Sequence, residues 1–523
     1  MMSNLPCGLV LQRLLMVFLP LTLGFTTLVE EGRAQNPDLP RSIIPRTWDD
    51  TAMSTLEIPL ATPVGSPKHV SADYYYRIPI RPIYKSYPVY VAGHEPPGYI
   101  ESLRKQEPII TWDSADHRPP LVTQADWIKA GESVFDAPIA YGFTVALTEP
   151  TSLYVRESDW LKRTGSPVTR DGVLPFYRYV IRTKDKVEIG ILACAMCHTR
   201  VMTDGSIIKG AQGNFPFDRA AAYEYRLAKN PAEARLGERS LFAVPWLRPN
   251  PQAALPGMSV ESIAATHDAI PPGVLARHNS SPLYPPHIPD LIGVKDRLYL
   301  DATGLQQQRS IVDLMRYAAL NQGAAFLSDY GGFVPLDFPD FKALPSSDKA
   351  GERYSDEQLY ALALYVYSLR PPANPNLFNV DAMRGKKVFK NEGCISCHTP
   401  PLYTSNKLTL AKGFTPPPDH FRKYDIIPVS VNTDSDLTLK TRRGTGYYKV
   451  PSLKGVWFRG MFGHNGWCAT LEDWFDPDRT RADYVPTGFK GLGVKTRAIE
   501  GHPFGLGLSQ EDRKALISFL KTL

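Results

Sequence analysis

Cysteine is scarce in this chain: 523 residues hold six, with eleven histidines. A spacing pattern that uses most of them therefore carries information. There is no Lys/Arg block of the kind that binds nucleic acid, and the net charge of +6 is only mildly basic. That balance reads as an ordinary solvated surface, with steering of an anionic partner as the alternative. No apolar run is long enough for a comfortable membrane span, the longest being Leu14 to Val29. Forty-eight prolines and 38 glycines exclude a doubly wound sheet and favour long ordered loops between helices. What is present is bulk: 43% hydrophobic and 11% aromatic content builds sizeable cores, and the length asks for two to four domains.

Four of the six cysteines fall in two copies of one motif, Cys194-Ala195-Met196-Cys197-His198 and Cys394-Ile395-Ser396-Cys397-His398. Each reads as a c-type haem attachment site. Cys194 and Cys197, like Cys394 and Cys397, are spaced to form thioethers to the two vinyl groups of one haem. The adjacent imidazole, His198 or His398, then reaches the iron as proximal ligand. The alternatives are a four-thiolate zinc site or a thioredoxin-like redox pair. Two copies, each ending in His, favour a chain carrying two covalently bound haem c groups.

Covalent haem attachment in bacteria occurs outside the cytoplasm, and the N-terminus reads as a secretory signal. Arg13 precedes the apolar run, and Gly32-Arg33-Ala34 supplies a small-residue cleavage site. An uncleaved anchor is the alternative. We therefore expect a periplasmic or secreted protein with no membrane span in the mature chain. Cys7 leaves with the peptide, and Cys468 stays as a lone thiol, read as a small buried hydrophobe. Residues 35–124 are rich in Pro and Tyr, as in Tyr74-Tyr75-Tyr76, and show no helical period. They read as an extension that wraps the haem domains with a few short strands.

The remainder is a diverged duplication. Ile288-Pro289-Asp290-Leu291-Ile292-Gly293-Val294 matches Val450-Pro451-Ser452-Leu453-Lys454-Gly455-Val456 at an offset of 450 − 288 = 162. Gly131-Glu132-Ser133-Val134-Phe135 matches Gly385-Lys386-Lys387-Val388-Phe389, and an insertion of about 54 residues separates the first of these from its Cys-x-x-Cys-His. Each half closes on a Ser-capped helix, Ser355-Asp356-Glu357 before Leu359, Leu362, Tyr365 and Val366, and Ser509-Gln510-Glu511 before Ala515, Leu516, Phe519 and Leu520. Arg370-Pro371-Pro372-Ala373-Asn374-Pro375 links them. The expected fold is mainly α: two tandem cytochrome c domains, 125–370 and 371–523, behind the signal at 1–34 and the extension at 35–124.

With Val450-Pro451-Ser452-Leu453, Phe462-Gly463-His464-Asn465-Gly466 and Ala469-Thr470-Leu471-Glu472-Asp473, the region 125–523 resembles the bacterial di-haem cytochrome c peroxidase and MauG family. Gly444-Thr445-Gly446-Tyr447-Tyr448-Lys449-Val450-Pro451 and Asp473-Trp474-Phe475-Asp476-Pro477 are most similar to its rubber-oxygenase branch. The resemblance implies an oxidoreductase that activates peroxide or dioxygen, with a small redox protein as electron donor or acceptor. On the branch likeness, the substrate is instead an apolar organic molecule cleaved at carbon–carbon double bonds. A plain electron-transfer cytochrome is the third reading.

The family places a distal Met just before the last helix, where this chain has Gly501-His502-Pro503. His502 is therefore expected opposite His398, with a stray surface His as the alternative. The repeat maps His502 onto Ser347 to Asp348, which holds neither His nor Met, so an open iron is expected opposite His198. Met202, Lys209 and His267 are the remaining candidates for that position. The family's inter-haem Trp aligns with Leu300 in Tyr299-Leu300-Asp301-Ala302 and is missing, and Leu314, Tyr317 and Leu320 suggest an apolar distal pocket. His464 is assigned a supporting role near the haem interface. Arg442 and Arg443 are candidates for haem propionates, and Trp457, Trp467 and Trp474 for electron transfer. By the resemblance, Asn279 with the carbonyls near Arg459 and Met461 admits a calcium ion.

Overall fold

The computed structural model describes residues 44–523 apart from 63–64, 66, 115–116, 142–152, 228–230, 255–256, 278 and 336–350. The signal assigned to 1–34, with Cys7, lies outside the described residues, as does the Ser347–Asp348 region. No helix among the described residues is long and apolar enough to cross a membrane.

Two helix pairs built alike organise the two halves. Thr123 opens the helix Gln124–Asp136 with a capping box, its hydroxyl accepting from the backbone of Asp126 while the Asp126 carboxylate accepts in return. Trp127, Ala130, Gly131, Val134 and Phe135 fall on one face at helical spacing and are buried. That face packs on the helix Asp356–Ser368, which a Ser355/Gln358 capping box opens. In the second half Asn379 caps Val380–Asn391, and Ser509 caps its partner Gln510–Lys521. Both crossings depend on a glycine. A Cβ on Gly131 would collide with the carbonyl of Ala361, and one on Gly385 with that of Ala515, so each helix backbone lies directly on its partner. Beside each glycine sits an aromatic pair, Phe135–Tyr365 at 5.2 Å and Phe389–Phe519 at 5.4 Å between ring centres.

The architecture is mixed α/β, with more strand than the expected mainly α fold. The insertion in the first half supplies the long strand Val173–Thr183, rich in β-branched and aromatic residues, and its hairpin partner Lys186–Ile191. Ser86–Tyr90 of the extension pairs with one edge and Ala140–Tyr141 with the other, giving a four-stranded antiparallel sheet. A three-stranded sheet in the second half joins Leu408–Leu410 to Tyr447–Lys449 and Ile426–Ile427.

The extension packs on both halves. Trp48, Tyr75 and Trp112 share a buried core with Trp127, Leu314 and Leu359, while Ile58 packs with Leu408 and Tyr447.

Candidate metal centres

The repeat becomes geometry at the two Cys-x-x-Cys-His turns. Cys194–Cys197 forms a single helical turn that presents His198, whose Nδ1 lies 3.1 Å from the carbonyl of Pro289. Cys394–Ser396 forms the equivalent turn, and Nδ1 of His398 lies 3.1 Å from the Tyr403 carbonyl, with that of Pro451 as a second acceptor. Pro289 and Pro451 occupy the same place in the repeat. In both halves the imidazole is positioned to donate Nδ1–H to a carbonyl, which leaves the Nε2 lone pair for a metal. Burial holds both rings below the usual histidine range; His198 falls to about 4, helped by the positive Arg277 nearby. The five described cysteines are all free thiols, and no group of three or more His, Cys, Asp or Glu side chains among the described residues is arranged to hold a metal ion. The geometry therefore does not assemble the four-thiolate zinc site.

His502 faces His398. Their ring centres lie 6.3 Å apart. Two imidazoles sharing one metal at about 2.0–2.1 Å per bond place their centres about 6 Å apart, so this spacing fits an iron between them. Burial, then the neighbouring His398, pushes His502 down to about 3, keeping it neutral. Its Nδ1 is shut off from solvent with no hydrogen-bond partner. The loop is held in an uncommon conformation, with φ of +84° at Gly501, +45° at His502 and +81° at Gly505.

Arg479, which the sequence did not single out, fixes that loop. Its buried guanidinium donates to the carbonyls of Trp474 (3.0 Å), Ile499 (2.6 Å), Gly501 (3.0 Å) and His502 (2.8 Å). It lies over the stacked rings of Trp467 and Trp474, and Trp474 packs edge-on against His502. Trp457 instead packs against Phe458, Met202 and Ile292.

None of the three candidates named for the position opposite His198 is free to serve as His502 does. His267 lies between Asp218 and Glu238, each 2.8 Å from a ring nitrogen. Burial opposes its charge, but Glu238 and Asp218 outweigh that and hold it up at about 10, so it has no free lone pair. Lys209 is paired with Glu132 at 2.8 Å and Asp136 at 2.7 Å. Met202 packs among Ala211, Ile292 and Phe458. Leu314 and Leu320 are buried as expected, but the hydroxyl of Tyr317 accepts from Arg277 at 3.2 Å, and Arg277 also donates to Asn321. The region near His198 is thus not wholly apolar.

One further expectation changes. Arg442 is buried and donates to the carbonyls of Arg239, Ser240 and Ala243, so it is not free for a propionate, while Arg443 pairs with Asp301 and keeps a buried Nε without a hydrogen-bond partner. Asn279 accepts from Arg442 at 3.4 Å, and the Met461 carbonyl accepts from Gln212 at 3.2 Å. Both oxygens thus already accept from a protein donor. His464 places Nε2 3.0 Å from Asp434 and receives the backbone N–H of His287 on its carbonyl, a bracing role rather than ligation. Leu300 sits in the core where the family has its Trp.

No family model and no curated protein matches the chain. Among solved structures it is similar to Kuenenia stuttgartiensis hydrazine synthase under 20 bar xenon, at 15% identity and TM-score 0.29, over 58% of this chain and 92% of that one. It is also similar to a MauG-like protein associated with microbial copper homeostasis, at 16% identity and TM-score 0.22, over 34% of this chain and 62% of that one.

Proposed function

We propose that the chain is an exported di-haem c-type cytochrome acting as an oxidoreductase, in which peroxide or dioxygen is activated at the His198 haem and the His398/His502 haem relays or stores electrons. The observation that carries this reading is the contrast between the two histidine turns: His398 faces a second imidazole at 6.3 Å, whereas the candidates for a second ligand opposite His198 are engaged elsewhere. A bound haem supplies one-electron and oxygen chemistry, and a doubly ligated one favours electron transfer over substrate binding.

The protein's part is positional. Pro289 and Pro451 orient the proximal rings through Nδ1, and Arg479 holds the His502 loop against Trp474. Tyr317 and Arg277 place a hydroxyl and a cation in the first half, with Arg277 close enough to His198 to act on its charge, and they would supply polar groups beside a haem held there. Low-temperature EPR of the oxidised, haem-loaded protein tests the proposal. One high-spin and one low-spin signal are expected; two low-spin signals would refute an open resting site and leave the electron-transfer reading.

A further inference from the structure

The strongest unassigned feature is a small cavity where the two halves meet. It is lined by His287, Pro289, Asp290 and Arg297 from the first half and by Lys449, Pro451, Ser452 and Arg459 from the second. These are the same positions taken twice, since 449 − 287, 451 − 289, 452 − 290 and 459 − 297 all equal 162. The pairing extends to hydrogen bonds. Arg297 donates to the carbonyls of Asp290 and Ile292, and Arg459 to those of Ser452 and Lys454, the repeat equivalents. The cavity therefore lies on a local two-fold relation between the loops that brace His198 and His398.

Its charge is unbalanced. Arg297, Lys449 and Arg459 face one carboxylate, Asp290, which is 3.9 Å from each arginine. Three cations less one anion leave a formal +2 among the lining residues. His287 adds no charge, because burial pushes it down to about 4. Nε of Arg459 is buried without a hydrogen-bond partner, and Lys449 lines the same cavity. Burial, then Arg297 and Arg459, lowers Lys449 to about 7. Unpaired buried cations are costly, and the complement of this set is a pair of carboxylates. A metal cation is excluded by the same charge.

We propose that this cavity is the carboxylate site shared by the two haem groups, with Arg297, Lys449 and Arg459 neutralising one propionate from each half. The inference rests on the di-haem reading above. It stands in place of Arg442, whose guanidinium is committed elsewhere, and it makes the cavity an electrostatic link between the two irons. A cation beside a propionate favours the reduced haem, so losing one lowers the potential of both centres rather than one.

The test uses the full haem-loaded chain, with intact mass giving haem content and spectroelectrochemical titration giving both midpoints. In Lys449→Gln both midpoints should fall, each by about a tenfold change in the reduction equilibrium, which is 59 mV for one electron. Lys449→Arg should restore them, and Lys454→Gln, an exposed lysine on the same loop, should move neither. Lys449→Met carries the same expectation should the glutamine variant fail to load. A wild-type mass without two haems would overturn this inference together with its parent reading. Two haems with unmoved midpoints would overturn this inference alone. So would a saturable shift of the wild-type midpoints by inorganic phosphate that Lys449→Gln abolishes, because the cavity would then hold a free anion.

Discussion

Replacing Arg479 by Met removes the guanidinium while keeping much of its bulk. Arg479 is 1% exposed and makes four hydrogen bonds to carbonyls, three of them, to Ile499, Gly501 and His502, on the loop that presents the distal imidazole. A hydrogen bond to a charged group is worth about 1.5–3 kcal/mol, but bonds to one group are not additive. A loss of about 3 kcal/mol from the loop is a reasonable total once water satisfies some of the carbonyls. Because every 1.4 kcal/mol is tenfold, the balance between His502 and a competing ligand should shift by about a hundredfold. Cyanide titration of the oxidised holo-protein, followed in the Soret band, reads this directly. Arg479→Met should bind cyanide at the second haem about a hundred times more tightly, and its low-spin EPR signal should weaken. Arg479→Lys, which keeps the charge but not the planar fork, should fall between. A lowered melting temperature with unchanged cyanide affinity would refute the positioning role and leave Arg479 as a core strut.

Three shorter predictions follow from the same coordinates. Gly131→Ala and Gly385→Ala should each destabilise the protein by about 3 kcal/mol or more, because the added methyl meets a helix backbone that cannot rotate away; equal falls in thermal stability are expected, and a neutral result at either would contradict the crossing. His267 is held up at about 10, so its stabilising contribution is complete below about 6.5, the unperturbed value, and is lost as pH rises through about 10. Urea unfolding should show wild-type stability falling between pH 7 and 10, with His267→Gln weaker at pH 6 and flat across that window. His502→Ala should open the second haem, so that carbon monoxide binds two reduced irons per chain instead of one; unchanged stoichiometry would remove His502 from the ligand set.

Residues whose meaning depends on local spacing were legible in the sequence. The Cys-x-x-Cys-His turns and the Ser355 and Ser509 caps concern neighbours within one turn, and the 162-residue offset matches one such local pattern to another; the structure forms both turns and both capped helices. His502 was found through its place before the last helix, and it stands opposite His398. What failed was long-range. Arg442 and Arg443 look like anion-binding cations in sequence, yet the carbonyls that consume Arg442 lie about 200 positions away. His267 seems a ligand candidate until Asp218 and Glu238, distant by 49 and 29 positions, take both ring nitrogens. The Val173–Thr183 strand is rich in β-branched and aromatic residues but sits in an insertion that the repeat does not explain.

The duplication also explains why the two centres differ. On the proximal side both halves keep the loop geometry: Pro289 and Pro451 accept from the rings, and Arg297 and Arg459 each clamp the following carbonyls. That side must place a ring to within a few tenths of an ångström of a metal, and a proline carbonyl with an arginine brace does so in either half. The distal side needs a different fold in each half. Presenting His502 takes a chain reversal with positive φ at three positions within five residues, and a buried arginine to hold it. Such a loop costs conformational strain of about 1–3 kcal/mol for the non-glycine residue, which Arg479 and the Trp467–Trp474 stack offset. Without both parts a distal histidine would be present but mobile. Divergence between the halves is therefore expected on the distal faces, where, on the proposed function, closing one iron and leaving the other accessible would divide electron storage from oxygen chemistry.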